Sequence, residues 1–557
     1  MTGGTRRLAL SVCAVLASAG MLALCGLMER PWFALIFVAL VPWLAVLDAA
    51  PTLRASLASA LAMALAMTAF VFAWFAEAIA AYTGAPLALA WLVLLLLAPI
   101  LEPQLFVFAA VRSIGRRDAR RGRPVADAGG VGAPKRARAA LAAALAWVGA
   151  EWVLPKLFAD SLGHGLLPAP WLRQAGELAG VGGLTLVVLL VNEAVLAMLR
   201  ALAAALTAAT DGERGRPWMR AAGAALAPAA VAAALVGVLG LYGALRLRSL
   251  EAEIARAPQI TAGIAQADIA RYGELARALG SFDAVAEILE AHFALSHAAL
   301  GRGALDLLLW PETVYPTTFG APKSPDGEAF DRALGAFVGR TGIPLVFGAY
   351  DAEDGREYNA AVLLEPDGPE SVRFATYRKA ALFPLTERVP DWLDGPRVRA
   401  ALPWLGTWSP PDGGERSLPL ALDGRSVRVA PLICYDALEP GLVREAVREG
   451  AELIVTLSND AWFAYGAGPR LHLAMAAFRS LETRRAQLRA TPTGISAAIA
   501  PTGEITAQLA VHAREALVAT VPLLSSPPGP FARFGDWLGP SAATLAAVLL
   551  TPRRTTR

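Results

Sequence analysis

Apolar and polar positions alternate on two different scales in this chain. Up to residue 247 the apolar positions run on with few interruptions, in stretches at 8–27, 32–48, 57–80, 86–111, 139–158, 180–206 and 221–245. Each is close to the ~20 residues with which a helix crosses a bilayer, and a shorter stretch follows at 536–550. From Gln259 to Leu524 the pattern changes to short, often β-branched runs closed by Gly, Pro, Asp or Asn. Such runs predict strands, here at 259–266, 305–312, 344–351, 359–366, 372–379, 427–436, 451–459, 488–501 and 515–523. Helical periodicity separates them at Asp283–Ala299, Glu328–Thr341, Pro440–Glu449 and Leu471–Arg485. Strands alternating with helices predict an α/β domain, and no tandem repeat interrupts it.

The expected organisation is a membrane α-helical bundle of about eight spans carrying one such domain. Residues 1–247 would hold seven transmembrane helices, 258–524 the α/β domain and 533–551 a closing helix. Composition agrees: 56% of the residues are hydrophobic and 17% charged, an apolar excess beyond that of soluble proteins. Arg6 and Arg7 ahead of the first stretch also fit a signal peptide. With no convincing cleavage site and further stretches behind it, this segment is expected to stay as an anchor.

Positive charge then sets the orientation, because short cytoplasmic loops collect Lys and Arg. Arg6 and Arg7 precede the first stretch and Arg54 the third. Arg112, Arg116, Arg117, Arg120, Arg121, Arg123, Lys135, Arg136 and Arg138 crowd the loop after the fourth. Arg214, Arg216 and Arg220 lie before the seventh, and Arg553, Arg554 and Arg557 end the chain. The intervening loops are poor in positive charge, which puts residues 248–530 outside the cytoplasm. The formal charge of +3 follows from these loops and carries no nucleic-acid message.

Candidate chemistry sits in the α/β region. Cys434 ends the run "VAPLIC", while Cys13 and Cys25 lie in the first apolar stretch, so Cys434 has no disulfide partner in its own domain. A cysteine attacks as thiolate and needs a base or cation to help remove its proton near neutral pH. Glu312 follows the strand-like "LDLLLW" and Pro311, at a strand end where open α/β sheets place their sites. Lys379 ends "VRFATYRK", and an ammonium beside a developing oxyanion would stabilise it. Each residue alone has an ordinary structural explanation; a thiol, a carboxylate and an amine together are the parts of an acyl-transfer site. Cys434 has no Cys or His at ligand spacing, so no metal is implied.

Glu, Lys and Cys in this order, within "WPE", "YRK" and "ICYD", resemble the carbon-nitrogen hydrolase (nitrilase) superfamily. "PLTERVP" at 384–390, "SNDAWF" at 458–463 and "FRSLETRRAQLRATPTGISAAIAPTGEI" at 478–505 are similar to its membrane branch, the apolipoprotein N-acyltransferases. "PWLRQAGELAGVGGLTLVVLLVNE" at 170–193 extends the likeness into the membrane region.

That resemblance implies an αββα sandwich on the periplasmic side of a bacterial inner membrane, with no metal or organic cofactor. It implies that Cys434 attacks the sn-1 ester of a phospholipid while Glu312 takes the thiol proton and Lys379 holds the oxyanion. The acyl chain would pass from the Cys434 thioester to the α-amine of a lipoprotein's S-diacylglyceryl cysteine. Glu387, Tyr435 and Asp436 would support the triad. Asp436 stands where the family usually has Glu, "ALFPLT" precedes Glu387 in place of "HLVPFG", and Leu471 precedes His472 where Gln is common. At the domain start the family's Asn-Ile and Lys-Trp pairs are replaced by Gly263, Ile264, Gln266, Arg271 and Tyr272. An amidase or an acyltransferase with another acceptor would use the same thioester, and a lipid-binding scaffold would use none of it.

His164, His292 and His297 are expected as loop or helix-face residues. Glu77, Glu102 and Glu193 are costly in lipid and belong in cavities or interfaces. Trp32, Trp43, Trp74, Trp91, Trp147, Trp152 and Trp171 are expected to include interfacial anchors.

Overall fold

A computed structural model describes residues 3–120, 132–210, 216–269, 272–368, 371–422, 424–463 and 466–551. Of the arginines expected in cytoplasmic loops, Arg121, Arg123, Arg214, Arg553, Arg554 and Arg557 lie outside the described residues, as do Arg271 and the side chains of Arg117, Arg120, Arg216 and Arg220. The chain forms two compact units: Met1–Ala76 with Pro86–Leu247 and Asp536–Arg557, and Glu77–Ala85 with Arg248–Gly535.

The first unit is helical. Among the described residues, five helices are long and apolar enough to span a membrane: Gly4–Gly26, Trp32–Ala49, Leu53–Val71, Gly176–Thr207 and Ala222–Ile254. The pair Leu87–Leu101 and Pro103–Arg116, bent by 48°, makes a sixth if taken as one span. The expected stretches depart from this measure of length and composition for local reasons. The stretch read as 57–80 breaks between helices Leu53–Val71 and Ala73–Thr83. The stretch read as 86–111 bends where Pro103, which has no N–H to continue the ladder, starts a new helix. The stretch read as 139–158 falls on helix Gly132–Val153, whose first turns carry Lys135, Arg136 and Arg138. Leu538–Leu550, at 13 residues, reaches roughly 20 Å, short of a ~30 Å hydrocarbon core.

The acidic residues of this unit follow burial logic. Glu193 pairs with Arg112, which also bonds Asp48 at 2.9 Å. Buried Glu102 lies 3.8 Å from the Lys156 ammonium. Trp43 and Trp147 are buried, whereas Trp32, Trp152 and Trp171 are exposed and free to act as anchors.

Thirteen strands are described in the second unit. The first sheet holds β1 (Gln259–Gln266), β2 (Leu307–Leu309), β3 (Tyr315–Thr318), β4 (Leu345–Glu353), β5 (Arg356–Pro366) and β6 (Val372–Arg378). The second holds β7 (Leu418–Leu422), β8 (Arg425–Ile433), β9 (Leu453–Leu457), β10 (Ala486–Ala490), β11 (Ala497–Ile499) and β12 (Ile505–Gln508). β13 (Glu515–Pro522) returns to the first, giving the order β13-β1-β2-β4-β5-β6 with β3 beside β4; the second runs β12-β11-β10-β9-β8-β7. The centres, β1-β2-β4 and β8-β9-β10, are parallel.

Side-chain alternation builds the layers. Leu307, Leu309, Val346 and Leu363 of the first sheet share a core with Val427, Val429, Leu453, Val455 and Leu488 of the second. The alternate residues Leu308, Phe347 and Leu364 pack on Ile288 and Leu289 of helix Ser281–Leu300 and Phe337 of helix Pro325–Thr341. Ala430, Leu432 and Ile454 pack on Val443 of helix Pro440–Arg448 and Ala476 of helix Gly468–Thr483. Strands covered on both faces read as continuous apolar runs, which is why "LLLW" and "LIVTL" show no alternation. His292 lies in this core, its ring 5.3 Å from Trp310, and burial pushes it down to about 4, so it is neutral near pH 7.

Three strands lie outside the expected set. β3 carries Pro316, and β7 and β12 are short edge strands with half-exposed residues. The run read as one strand at 488–501 is two, because Thr491–Ser496 form a turn in which the Ser496 hydroxyl bonds the backbone N–H of Thr491 at 3.0 Å.

Gly348 on β4 lies under the turn after β2: a Cβ there would sit 2.5 Å from Glu312 Cα and 2.7 Å from the Pro311 carbonyl oxygen. We expect Gly348→Ala to cost about 1–3 kcal/mol through overpacking and to lower the apparent melting temperature in detergent. An unchanged melting curve would show that the turn has room to move.

Candidate active site

Three strand ends and one loop converge in the second unit. Glu312 stands two residues past Trp310, whose N–H extends the β2 ladder to Val346 O at 2.9 Å. Thr313, next in the chain, takes φ +60°, so the turn reverses at Glu312. Lys379 directly follows β6, with its N–H on the Asn359 carbonyl at 2.8 Å. Cys434 directly follows β8 and opens a short 3-10 turn, Cys434–Leu438.

The side chains meet around one ammonium. Lys379 Nζ donates to Glu312 Oε1 at 3.2 Å and to Glu387 Oε1 at 2.7 Å. Asn359 Nδ2 donates to Glu312 Oε1 at 2.7 Å and reaches Glu387 Oε1 at 3.4 Å. The Phe383 N–H holds the other Glu387 oxygen at 2.7 Å. Glu312 is 6% exposed, and its Oε2 has no hydrogen-bond partner among the described residues. A buried carboxylate oxygen with both neighbours fixed and its own lone pairs free is placed to accept a proton.

Electrostatics fix the resting state. Burial pulls the Lys379 ammonium towards neutrality, but Glu312 and Glu387 outweigh it and hold its pKa well above the ordinary lysine value. Burial and then the charge of Glu312 push the Cys434 thiol up to about 12, against the pull of Lys379. Near pH 7 the resting group is then the thiol. Any attack by Cys434 needs its proton removed as the new bond forms, rather than a standing thiolate.

Asp436 is fully buried and bonds four donors. Oδ1 takes the N–H groups of Ala380 at 3.1 Å and Ala381 at 2.7 Å, and Oδ2 takes the Ile433 N–H and the Tyr377 hydroxyl, each at 3.0 Å. Burial pushes this carboxyl up to about 6 in spite of Lys379 and these bonds, so near pH 7 it is mostly ionised. It ties the residues after Lys379 to the strand end before Cys434. The Tyr435 ring packs on Phe383 with centroids 5.1 Å apart.

Glu312, Lys379 and Glu387 are thus in direct contact, Cys434 feels the charge of all three, and Asp436 and Tyr435 brace the loops that carry them. Gln266 lies elsewhere, where its amide donates to the Ala510 and Ala513 carbonyls. Asn359 escaped the sequence reading, although an amide heading the apolar run "NAAVLLEP" is a signal that could have found it. Gly406 also escaped it: a Cβ there would lie 2.5 Å from Glu387 Cα. Tyr82, from helix Ala73–Thr83, belongs to this unit as well. Its hydroxyl lies 2.9 Å from the Thr386 carbonyl and 3.1 Å from that of Trp404, and its ring packs 4.6 Å from Trp462.

The carbon-nitrogen hydrolase family model matches residues 261–525, and the model of the apolipoprotein N-acyltransferase N-terminal domain matches 19–194. An apolipoprotein N-acyltransferase of Bradyrhizobium diazoefficiens is 30% identical over 75% of this chain and 74% of its own length. The chain belongs to the apolipoprotein N-acyltransferase family. A family relative from Chlorobaculum tepidum is 31% identical over 43% of this chain, and the match spans about half of that relative's length, 48%. A solved nitrilase-superfamily member from Saccharomyces cerevisiae has 19% identity and a TM-score of 0.33, covering 47% of this chain and 90% of its own. Within the family architecture, the contacts described above all lie in the carbon-nitrogen hydrolase portion, apart from those of Tyr82.

Removing the ammonium would leave two buried carboxylates without their counter-charge. Lys379→Met is expected to destabilise the protein by about 3–5 kcal/mol, read as a drop in apparent melting temperature. A pKa raised on folding gives stability that is complete below the ordinary lysine value of ~10.4 and is lost only as pH rises through the folded one. The gap between wild type and variant should therefore persist as pH rises from about 8 to 10. A gap that closes within that range would show that Lys379 is not held as an ammonium.

Proposed function

We propose that this protein transfers an acyl chain from a phospholipid, through a thioester on Cys434, to the α-amine of a lipoprotein's S-diacylglyceryl cysteine. The observation that carries this reading is Glu312, with Oε1 pinned by Lys379 and Asn359 and a buried Oε2 left without a partner. In the first half-reaction, Cys434 Sγ bonds to the ester carbonyl carbon while its proton passes to Glu312 Oε2. Lys379 Nζ stabilises the oxyanion. The intermediate collapses with loss of the lysophospholipid alkoxide, which takes the proton back from Glu312. In the second, the amine nitrogen attacks the thioester and gives its proton to Glu312. The thiolate then leaves and is reprotonated, giving the amide.

Electrostatics favour an amine as acceptor. Glu312 and Glu387 surround a single Lys379, so the charged groups there sum to −1. That excess attracts a cationic amine to the site. Glu387 is proposed to hold Lys379 in place, Asp436 to register the Lys379 loop against Cys434, and Tyr435 to brace Phe383.

The proposed location is a bacterial inner membrane, with residues 258–524 as the catalytic domain on the periplasmic side, between a seven-span domain at 1–247 and a closing span at 533–551. The Arg-rich loops support this orientation, as does the match of residues 19–194 to the family's N-terminal domain. No metal or organic cofactor enters the scheme.

Incubation of the purified protein with phospholipid alone should place an acyl mass on the Cys434 peptide, and adding a diacylated lipoprotein peptide should remove it. Glu312→Gln should lower the rate of thioester formation by about 10²–10⁴-fold, and Cys434→Ala should abolish it. Wild-type N-acylation that persists in Cys434→Ala would sink the scheme.

A further inference from the structure

Cys434 holds φ +49°, in the left-handed region that costs a non-glycine residue about 1–3 kcal/mol and persists only where surrounding contacts enforce it. One such contact comes from helix Gly468–Thr483: His472 Nε2 lies 3.3 Å from the Cys434 carbonyl oxygen. A carbonyl only accepts, so Nε2 carries the proton. Nδ1 lies 3.1 Å from Asp460 Oδ1 and 3.0 Å from Arg489 Nη2. A neutral ring with its proton on Nε2 donates to Cys434 and accepts from Arg489 at Nδ1; donation from Nδ1 to Asp460 as well belongs to the imidazolium.

The ring itself is held from behind. Asp460 and Arg489 are fully buried and joined by contacts of 2.8 and 3.0 Å, and the Ser458 hydroxyl donates to Asp460 Oδ1 at 2.6 Å. Gly494 makes room for this carboxylate, since a Cβ there would stand 2.5 Å from Asp460 Cβ. The segments "SNDAWF" and "RATPTG" thus converge on His472, away from the groups that hold Lys379.

We infer that His472 is a positioning residue, whose Nε2–H grips the Cys434 carbonyl and so fixes the peptide plane that the nucleophile shares with Tyr435. A peptide unit is planar, so holding its oxygen sets the orientation of both flanking residues. The inference rests on the proposed role of Cys434 as nucleophile. Loss of the grip would leave substrate binding alone and spoil the aim of Sγ at the ester carbon and at Glu312.

Gln and Met nearly match each other in size, and only Gln supplies an N–H at the reach of Nε2. In the full-length protein, His472→Gln should keep kcat within about threefold of wild type, whereas His472→Met should lose about 10–100-fold in kcat with KM little changed. Alkylation of Cys434 by iodoacetamide, followed by the mass of its peptide, should show the same order without any lipid. Equal losses in the two variants, or a Met variant as fast as wild type, would overturn the inference. If the Met variant does not fold, His472→Asn replaces it, keeping an amide beside Asp460 that falls short of the carbonyl, with the same expected loss. A wild type that transfers no acyl chain refutes the proposed reaction, while the alkylation order still decides the role of His472.

Discussion

One buried ammonium organises the second unit. Lys379 is 2% exposed, and a charge that far from water is tolerable only when opposite charges and well-aimed acceptors replace its hydration. Glu312 and Glu387 do so, and each must itself be fixed for the arrangement to hold. Asn359 on β5 meets both carboxylates, the β2 turn delivers Glu312 over Gly348, and the backbone at Phe383 anchors Glu387. Displacing any one of these groups leaves another buried charge short of a partner. Coupled in this way, the Glu312 carboxylate is held as firmly as a core side chain.

The proposed nucleophile, Cys434, comes from the other sheet, so the two sheets must be kept in register. Asp436 makes that joint, binding Ala380 and Ala381 after β6 with one oxygen and Ile433 on β8 with the other. An aspartate at this position is short enough to lie fully buried while still meeting all its donors. The interleaved core of Leu309, Val346, Val429 and Val455 keeps the sheets from sliding, and the single carboxylate aligns the two loops that leave them.

Much of this was legible beforehand. β1 matches its expected bounds, because a run covered on both faces leaves a clear apolar signature between Pro258 and Ala267. The ends of β2 and β8 were visible for the same reason, and with them Glu312 and Cys434; β6, a half-solvated edge strand, showed through its Val, Phe, Thr and Tyr, and with it Lys379. β7 and β12 were not visible, since they are edge strands of only five and four residues, too short for their composition to stand out from that of loops. The division of 488–501 was hidden because Thr491, Thr493 and Ser496 satisfy their polar groups locally while remaining buried. Asn359 and Asp460 could be seen as residues but not as partners: their contacts lie 28 and 47 positions away for the first and 29 for the second, and pairings across strands leave no periodic trace. In the membrane region the breaks at Phe72 and Pro103 were hidden, because apolar composition does not register them.

Tyr82 has a consequence for how this protein can be taken apart. The segment Glu77–Ala85 lies in the chain among apolar helices yet packs with the residues that follow Arg248. A polypeptide begun at Arg248 would hold both sheets and every catalytic candidate, but would uncover the Thr386 carbonyl beside Glu387 and the face of Trp462. The second unit is therefore discontinuous in sequence, and its boundary along the chain is not its boundary in space.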